Sequence, residues 1–122
     1  MNKNLAITSV LGAITIILGA FGAHALKEVL SISEIKSFET AVRYQMYHVL
    51  VLLFVNTYAT FNSKTRNTIS YLFFSGILFF SGSIYAISLG VSAKDIWFVT
   101  PLGGLFFIVG WLKMTLSFLK KE

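Results

Sequence analysis

The chain has 122 residues, of which 56% are hydrophobic and 12% are charged, and its mean hydropathy is +0.77. A soluble domain of this length cannot bury so much apolar surface, so the composition excludes a soluble globular protein and predicts that lipid is the main solvent. The net charge of +5 comes from basic residues that flank apolar runs, which indicates orientation in a bilayer rather than nucleic-acid binding, and the lack of cysteine excludes disulfides and thiolate metal sites.

The apolar runs predict an all-α integral membrane protein, an antiparallel four-helix bundle that forms a single transmembrane domain over residues 1–122. About 20 helical residues cross a hydrocarbon core roughly 30 Å thick, and four runs approach that length. The predicted spans are residues 5–26, 44–61, 69–89 and 97–119.

Along the first predicted span, small residues recur on one helix face. Gly12, Gly19 and Ala23 belong to this face and are predicted to pack against another helix, as small residues do in membranes. Ser31 and Glu34 then have the spacing of a capping box, which predicts that a helix begins there, well before the second span. The polar segment before helix 2 is therefore predicted to be an interfacial amphipathic extension.

Asn56 lies inside the second span, where a hydrogen bond to another helix is its expected role. The third span carries Gly82, Ala86 and Gly90 at four-residue intervals, which predicts a second packing face.

Two starts are open for the fourth helix: Asp95 caps a helix that is kinked at Pro101, or Thr100 is the cap, which we favour. Gly103 and Gly110 are further predicted packing residues.

Polar side chains are concentrated where the predicted topology places one membrane face. Glu39 and Arg43 are four residues apart, in the favourable order for an ion pair at the membrane interface. In the alternative, Arg43 binds an anionic head group or a substrate carboxylate. The candidate ligand-binding or structural cluster contains His24, Glu39, Arg43, Tyr44, Gln45, His48 and Thr100.

Two histidines in a small bundle raise the hypothesis of a haem or metal site at His24 and His48. No HxxxH, HExxH or HxxE spacing supports it, so neither a cofactor nor a metal is predicted. The sequence also contains no catalytic Ser/His/Asp set, phosphate loop or nucleotide fingerprint, and we predict no catalytic residues and no enzymatic activity.

Four motifs resemble the small membrane proteins of domain-of-unknown-function family 423. They are Gly19-Ala-Phe-Gly-Ala-His-Ala-Leu-Lys27, Phe38-Glu-Thr-Ala-Val-Arg-Tyr-Gln-Met-Tyr-His48, Gly82-Ser-Ile-Tyr85 and Thr100-Pro-Leu-Gly-Gly104. The resemblance covers nearly the whole chain. It implies a four-span bacterial protein of the cytoplasmic membrane, with no assigned activity, cofactor or substrate.

The leading functional hypothesis is a non-enzymatic membrane protein that binds lipid or a partner membrane protein and supports envelope integrity or assembly. A small transporter or channel is the alternative, and a haem or metal protein is the third class. The expected partners are membrane lipids, another membrane protein or a second copy of the chain, with no nucleic acid. Five basic residues on one side against four on the other predict that both termini are cytoplasmic.

Overall fold

The computed structural model describes residues 2–120, apart from the side chain of Ala23, and over this range the chain forms four helices and no strands. The all-α prediction is confirmed. Short connections join the helices, and α1 and α2 pack antiparallel. The helices are α1 (Lys3–His24), α2 (Ile32–Thr57), α3 (Ser63–Ser88) and α4 (Val99–Leu119).

Three helices of the described chain, α1, α3 and α4, are long and apolar enough to cross a membrane. With 26 residues, α2 is about 39 Å long, which is also sufficient. Its first 12 residues, however, include the charged side chains of Glu34, Lys36, Glu39 and Arg43, which lower its hydropathy. The fourth span therefore stays a prediction, and it concerns the apolar second half of α2.

The predicted capping box is present at the start of α2. The Ser31 hydroxyl accepts a hydrogen bond from the Glu34 backbone N–H at 3.2 Å, and the Glu34 carboxylate accepts one from the Ser31 N–H at 2.8 Å. This bond from the Ser31 backbone, together with the Ser31 side chain, holds the pKa of Glu34 below its ordinary value. The helix therefore begins outside the second predicted span, as the spacing indicates.

We expect this capping box to weaken in acid. Because the pKa of Glu34 is lower in the folded protein than in the unfolded chain, its contribution is present above about pH 4.3 and is lost as the pH falls through the folded value. In detergent, the melting temperature of the wild type should fall further between pH 5 and pH 3 than that of Glu34→Gln, which retains an acceptor but does not titrate. Equal falls would contradict this role of the carboxylate.

The predicted face of α1 lies against α2. A Cβ atom at Gly12 would lie 3.5 Å from Cγ1 of Val49, and one at Gly19 would lie 3.6 Å from Cγ1 of Val42, both ordinary contact distances. Gly22, which the prediction omitted, is closer, because a Cβ there would overlap the ring of Phe38. The side chain of Ala23 is outside the described residues.

The helices α3 and α4 pack with a reciprocal exchange of rings and glycines. The Phe107 ring of α4 occupies the space beside Gly76, and the Phe73 ring of α3 occupies the space beside Gly110. A Cβ atom at either glycine would overlap the facing ring. Both rings belong to the buried core. Helices α2, α3 and α4 contribute most of the side chains of this core, and α1 lies at its edge.

Of the packing residues predicted on α3, Gly82 and Gly90 do not pack against a neighbouring helix, and Ala86 is only partly buried. The nearest atoms to a Cβ at Gly82 are 3.9 Å away in its own helix. Gly90 has φ +116° and follows the helix end, with nothing within 4 Å. Gly90 lies beyond the end of the helix at Ser88, and Gly82 directly follows a π-helical segment, Ile77–Ser81, where the regular α-helical spacing is interrupted.

The predicted cap of α4 is also wrong. The helix begins at Val99, preceded by Phe98, which makes no side-chain capping bond. Thr100 cannot cap the helix because it already lies within it, and its hydroxyl is hydrogen-bonded to the hydroxyl of Ser83 on α3. Asp95 lies in the preceding connection, and Pro101 lies in the first turn, where the N–H that proline lacks has no helical partner in any case.

Candidate functional site

A cavity of about 660 Å³ lies between the C-terminal part of α1, the connection that follows it and the first turns of α2. Three cationic side chains and one carboxylate line it, above a mainly apolar surface. We call this cavity the basic groove. Its lining residues are Gly19, Gly22, Lys27, Leu30, Ile32, Ile35, Lys36, Phe38, Glu39, Val42 and Arg43.

The tight connection after α1 explains how cations that are distant in sequence meet in the groove. Leu26 is buried, and its carbonyl accepts hydrogen bonds from the N–H groups of Val29 and Leu30 at 3.1 and 2.9 Å. The chain therefore reverses within a few residues, and Lys27 lies on the same cavity as Lys36 of α2.

Arg43 is held by a neutral partner rather than by the predicted ion pair. Its Nη2 atom donates to the Thr40 hydroxyl at 3.1 Å, and that hydroxyl donates to the Lys36 carbonyl at 2.9 Å. Between the described residues, Arg43 and Glu39 form no salt bridge. Both side chains are exposed, where an ion pair one helical turn apart contributes little to stability. Most of the guanidinium donors are left available to a ligand.

Gln45 lies inside the bundle instead of on the groove. Only 2% of its surface is exposed, and it joins three helices. Its Nε2 atom donates to the Leu11 carbonyl of α1 at 3.2 Å, and its Oε1 atom accepts from the Tyr85 hydroxyl of α3 at 2.7 Å. This arrangement satisfies the amide and makes Gln45 a structural residue.

His48 is buried against α4, with both ring nitrogens engaged. Its Nδ1 atom lies 2.7 Å from the Tyr44 carbonyl, which can only accept, so Nδ1 carries the proton. Its Nε2 atom accepts from the indole N–H of Trp111 at 3.1 Å, and the imidazole stacks on Phe107 with centroids 3.7 Å apart. The Trp111 bond occupies the lone pair that a metal would require.

The remaining members of the predicted cluster lie elsewhere. His24 is exposed at the end of α1, and Tyr44 is exposed and stacks on Phe80 at 4.9 Å between ring centroids. Thr100 borders a second cavity, of about 330 Å³, which Glu34 and Thr40 also line. Within the described part of the chain, no three metal-ligating side chains lie close enough together to hold an ion.

The structure thus divides the predicted cluster instead of bringing it together. Glu39 and Arg43 line the basic groove, and Gln45 and His48 hold helices together. Sequence reasoning missed Lys27 and Lys36 as groove residues, having used them only to assign orientation. The spacing of seven between Lys36 and Arg43, which places them on one face of α2, was the available signal.

A second polar network lies at the opposite end of the bundle. The Asn4 amide of α1 donates to the side-chain oxygens of Asn56 on α2 at 3.0 Å and Asn67 on α3 at 2.9 Å. Asn56 in turn donates to the Ser70 hydroxyl at 2.8 Å. The predicted interhelical bond of Asn56 is confirmed, whereas its partners were not foreseen. Internal polar contacts are therefore not confined to one membrane face.

Comparison with known proteins agrees with the membrane architecture. The family described as "Protein of unknown function (DUF423)" matches residues 18–104. A UPF0382 membrane protein of Staphylococcus saprophyticus is 43% identical over 102 residues, which cover 84% of each chain. One from Haemophilus influenzae is 33% identical over 121 residues, covering 99% of this chain and 97% of the relative. The UPF0382 membrane protein YwdK of Bacillus subtilis is 37% identical over 117 residues, or 91% and 94% of the two chains. No solved structure matches the chain.

Proposed function

Because the chain belongs to the DUF423 family of membrane proteins, whose function is unknown, we propose that it is a non-enzymatic lipid-binding protein that supports the organisation of the membrane it occupies. The ligand is an anionic lipid, and the site is the basic groove. The observation that carries the proposal is the set of three cations above an apolar surface at one end of a membrane-spanning helix. The proposal includes the cytoplasmic membrane as the location, with both termini cytoplasmic.

The position of the groove suits a lipid head group. It lies where α1 ends and the charged turns of α2 begin, which corresponds to the head-group layer beside the hydrocarbon core. Lysine and arginine near a membrane surface each attract anionic lipid by about 1 kcal/mol. The guanidinium of Arg43 also matches the geometry of phosphate oxygens, and Ile35 and Val42 give an acyl chain an apolar surface.

The structure offers less support for a small transporter or channel. Small proton-coupled exporters require a carboxylate within a span. The acidic residues in the described part of the chain are all exposed, and they lie in connections or in the first turns of α2 (Glu28, Glu34, Glu39 and Asp95).

Lipid binding can be measured by native mass spectrometry of the protein in detergent, with phosphatidylglycerol or phosphatidylcholine added. We expect selective binding of phosphatidylglycerol by the wild type. For Arg43→Gln we expect a Kd that is roughly fivefold higher, which corresponds to about 1 kcal/mol per cation. Lys94→Gln removes a charge from the connection between α3 and α4, outside the groove, and is the matched control. Equal binding of both lipids by the wild type, or equal effects of the two substitutions, would overturn the proposal.

Glu39→Gln provides a test of opposite sign. The carboxylate lines the groove and repels an anionic ligand, so its neutralisation should tighten phosphatidylglycerol binding by roughly fivefold. A variant whose only defect is in folding cannot bind its ligand more tightly. Weaker or unchanged binding by Glu39→Gln would show that the carboxylate does not face the lipid.

A further inference from the structure

We infer that the basic groove selects a lipid whose head group carries two phosphate groups, because its cations exceed its carboxylate by two charges and are spread over separate parts of the groove. This inference rests on the proposed function and specifies its ligand. The residues that carry it are Lys27, Lys36, Glu39 and Arg43.

The charges in the groove do not cancel one another. Lys27, Lys36 and Arg43 contribute three positive charges, and Glu39 contributes the one negative charge. Within the described chain, no salt bridge consumes any of these cations, and Arg43 is held by the uncharged Thr40. A lipid with a single phosphodiester would leave one positive charge without a partner, whereas a lipid with two phosphates would match the excess.

The spread of the cations favours two phosphates over one doubly charged phosphate. Lys36 and Arg43 are seven residues apart on one face of α2, a rise of about 10.5 Å along the helix axis. Lys27 lines the groove from a different segment, the connection after α1. A single phosphate monoester concentrates its charge at one point, while two phosphodiesters joined by a short linker can contact cations at separate positions.

The groove also has room for such a head group. Its volume of about 660 Å³ falls in the middle of the range for ligand pockets in proteins. The apolar residues Leu30, Ile35 and Val42 border the same space, so acyl chains can extend along the protein from the bound phosphates.

The test compares four lipids by native mass spectrometry at neutral pH: cardiolipin with two phosphates, phosphatidic acid with one monoester, phosphatidylglycerol with one diester, and phosphatidylcholine. We expect the Kd for cardiolipin to be at least fivefold lower than for phosphatidylglycerol, with phosphatidic acid between them. Cardiolipin also has more acyl chains, so the decisive quantity is the Kd for phosphatidylglycerol divided by the Kd for cardiolipin, compared between variants. Lys36→Gln should reduce this ratio severalfold, and Lys94→Gln should leave it unchanged.

The possible failures separate the two proposals. If cardiolipin and phosphatidylglycerol bind equally, or if Lys36→Gln leaves their ratio unchanged, the two-phosphate inference is overturned while anionic-lipid binding stands. Tighter binding of phosphatidic acid than of cardiolipin would also overturn it, because it would show that the groove prefers a single, doubly charged phosphate. If phosphatidylcholine binds as well as the anionic lipids, the proposed function falls as well.

Discussion

Gly103→Ala is expected to destabilise the folded protein by about 3 kcal/mol or more, at the upper end of the cost of overpacking. A Cβ atom at this position would overlap the backbone nitrogen of Phe80 in α3. Backbone atoms cannot rotate away as a flexible side chain can, so α3 and α4 would have to separate and lose their ring contacts. The midpoint of unfolding in sodium dodecyl sulfate, followed by circular dichroism, measures the effect.

Gly82→Ala is the matched control for this substitution. Gly82 is also a helical glycine of the α3–α4 region, but the nearest atoms to its added Cβ are 3.9 Å away in its own helix. Alanine has the higher helix propensity, so the midpoint should stay the same or rise slightly. If Gly103→Ala and Gly82→Ala unfold at the same midpoint, the close approach of α4 to α3 at Gly103 is incorrect.

Asn56→Leu is expected to cost about 1–3 kcal/mol, because it removes two interhelical hydrogen bonds of the kind that contribute roughly 0.6 to 2 kcal/mol each in membranes. Asn56 accepts from Asn4 of α1 and donates to Ser70 of α3, and both partners are buried. Leucine has a similar branched shape but no polar atoms, so the partner groups would lose their bonds. The same unfolding titration measures the loss.

A neighbouring residue supplies the control for Asn56. The hydroxyl of Thr57 bonds only to carbonyls of its own helix, at Leu53 and Phe54, and it is exposed, so Thr57→Val should cost less than about 0.5 kcal/mol. A double-mutant cycle with Asn4→Leu then isolates the bond between the two asparagines. Strict additivity of Asn4→Leu and Asn56→Leu would contradict a direct contact between these residues.

Local chemistry made part of this fold predictable from the sequence. The capping box of Ser31 and Glu34 depends on residues three apart, and the interhelical bond of Asn56 follows from the need of a buried amide for a partner. The partner itself was not predictable. Nothing in the spacing of Asn4 or Asn67 indicates that α1 and α3 meet α2 at that level.

Sequence periodicity could not predict the π-helical segment that interrupts α3. Ile77–Ser81 is an apolar stretch without proline, and no residue in it signals a π-helical turn. The four-residue spacing of Gly82, Ala86 and Gly90 also could not show that the helix ends at Ser88, or that Gly76 is the glycine that meets α4. By contrast, Gly103 and Gly110 lie on the uninterrupted helix α4, and both face α3 there.

The sequence predicted Arg43 as a possible ligand-binding residue, but it did not predict the rest of the basic groove. An arginine at the start of a membrane segment indicated an anionic ligand, whereas spacing alone suggested that Glu39 would neutralise it. The structure shows Thr40 as its partner and adds Lys27 through a turn whose geometry depends on the burial of Leu26. Tertiary contacts of this kind leave no periodic pattern in the chain.

The wide turn in α3 lets one continuous helix present two differently oriented surfaces to its neighbours. Before the turn, Phe73 and Gly76 engage α4, and after it Ser83 and Tyr85 reach α4 and α2 respectively. If Ile77–Ser81 took the regular α-helical turn instead, the second half would be rotated about the helix axis relative to the first, and both hydroxyls would move away from their partners. The wider turn of this five-residue segment therefore sets the angular phase between the two halves of the helix.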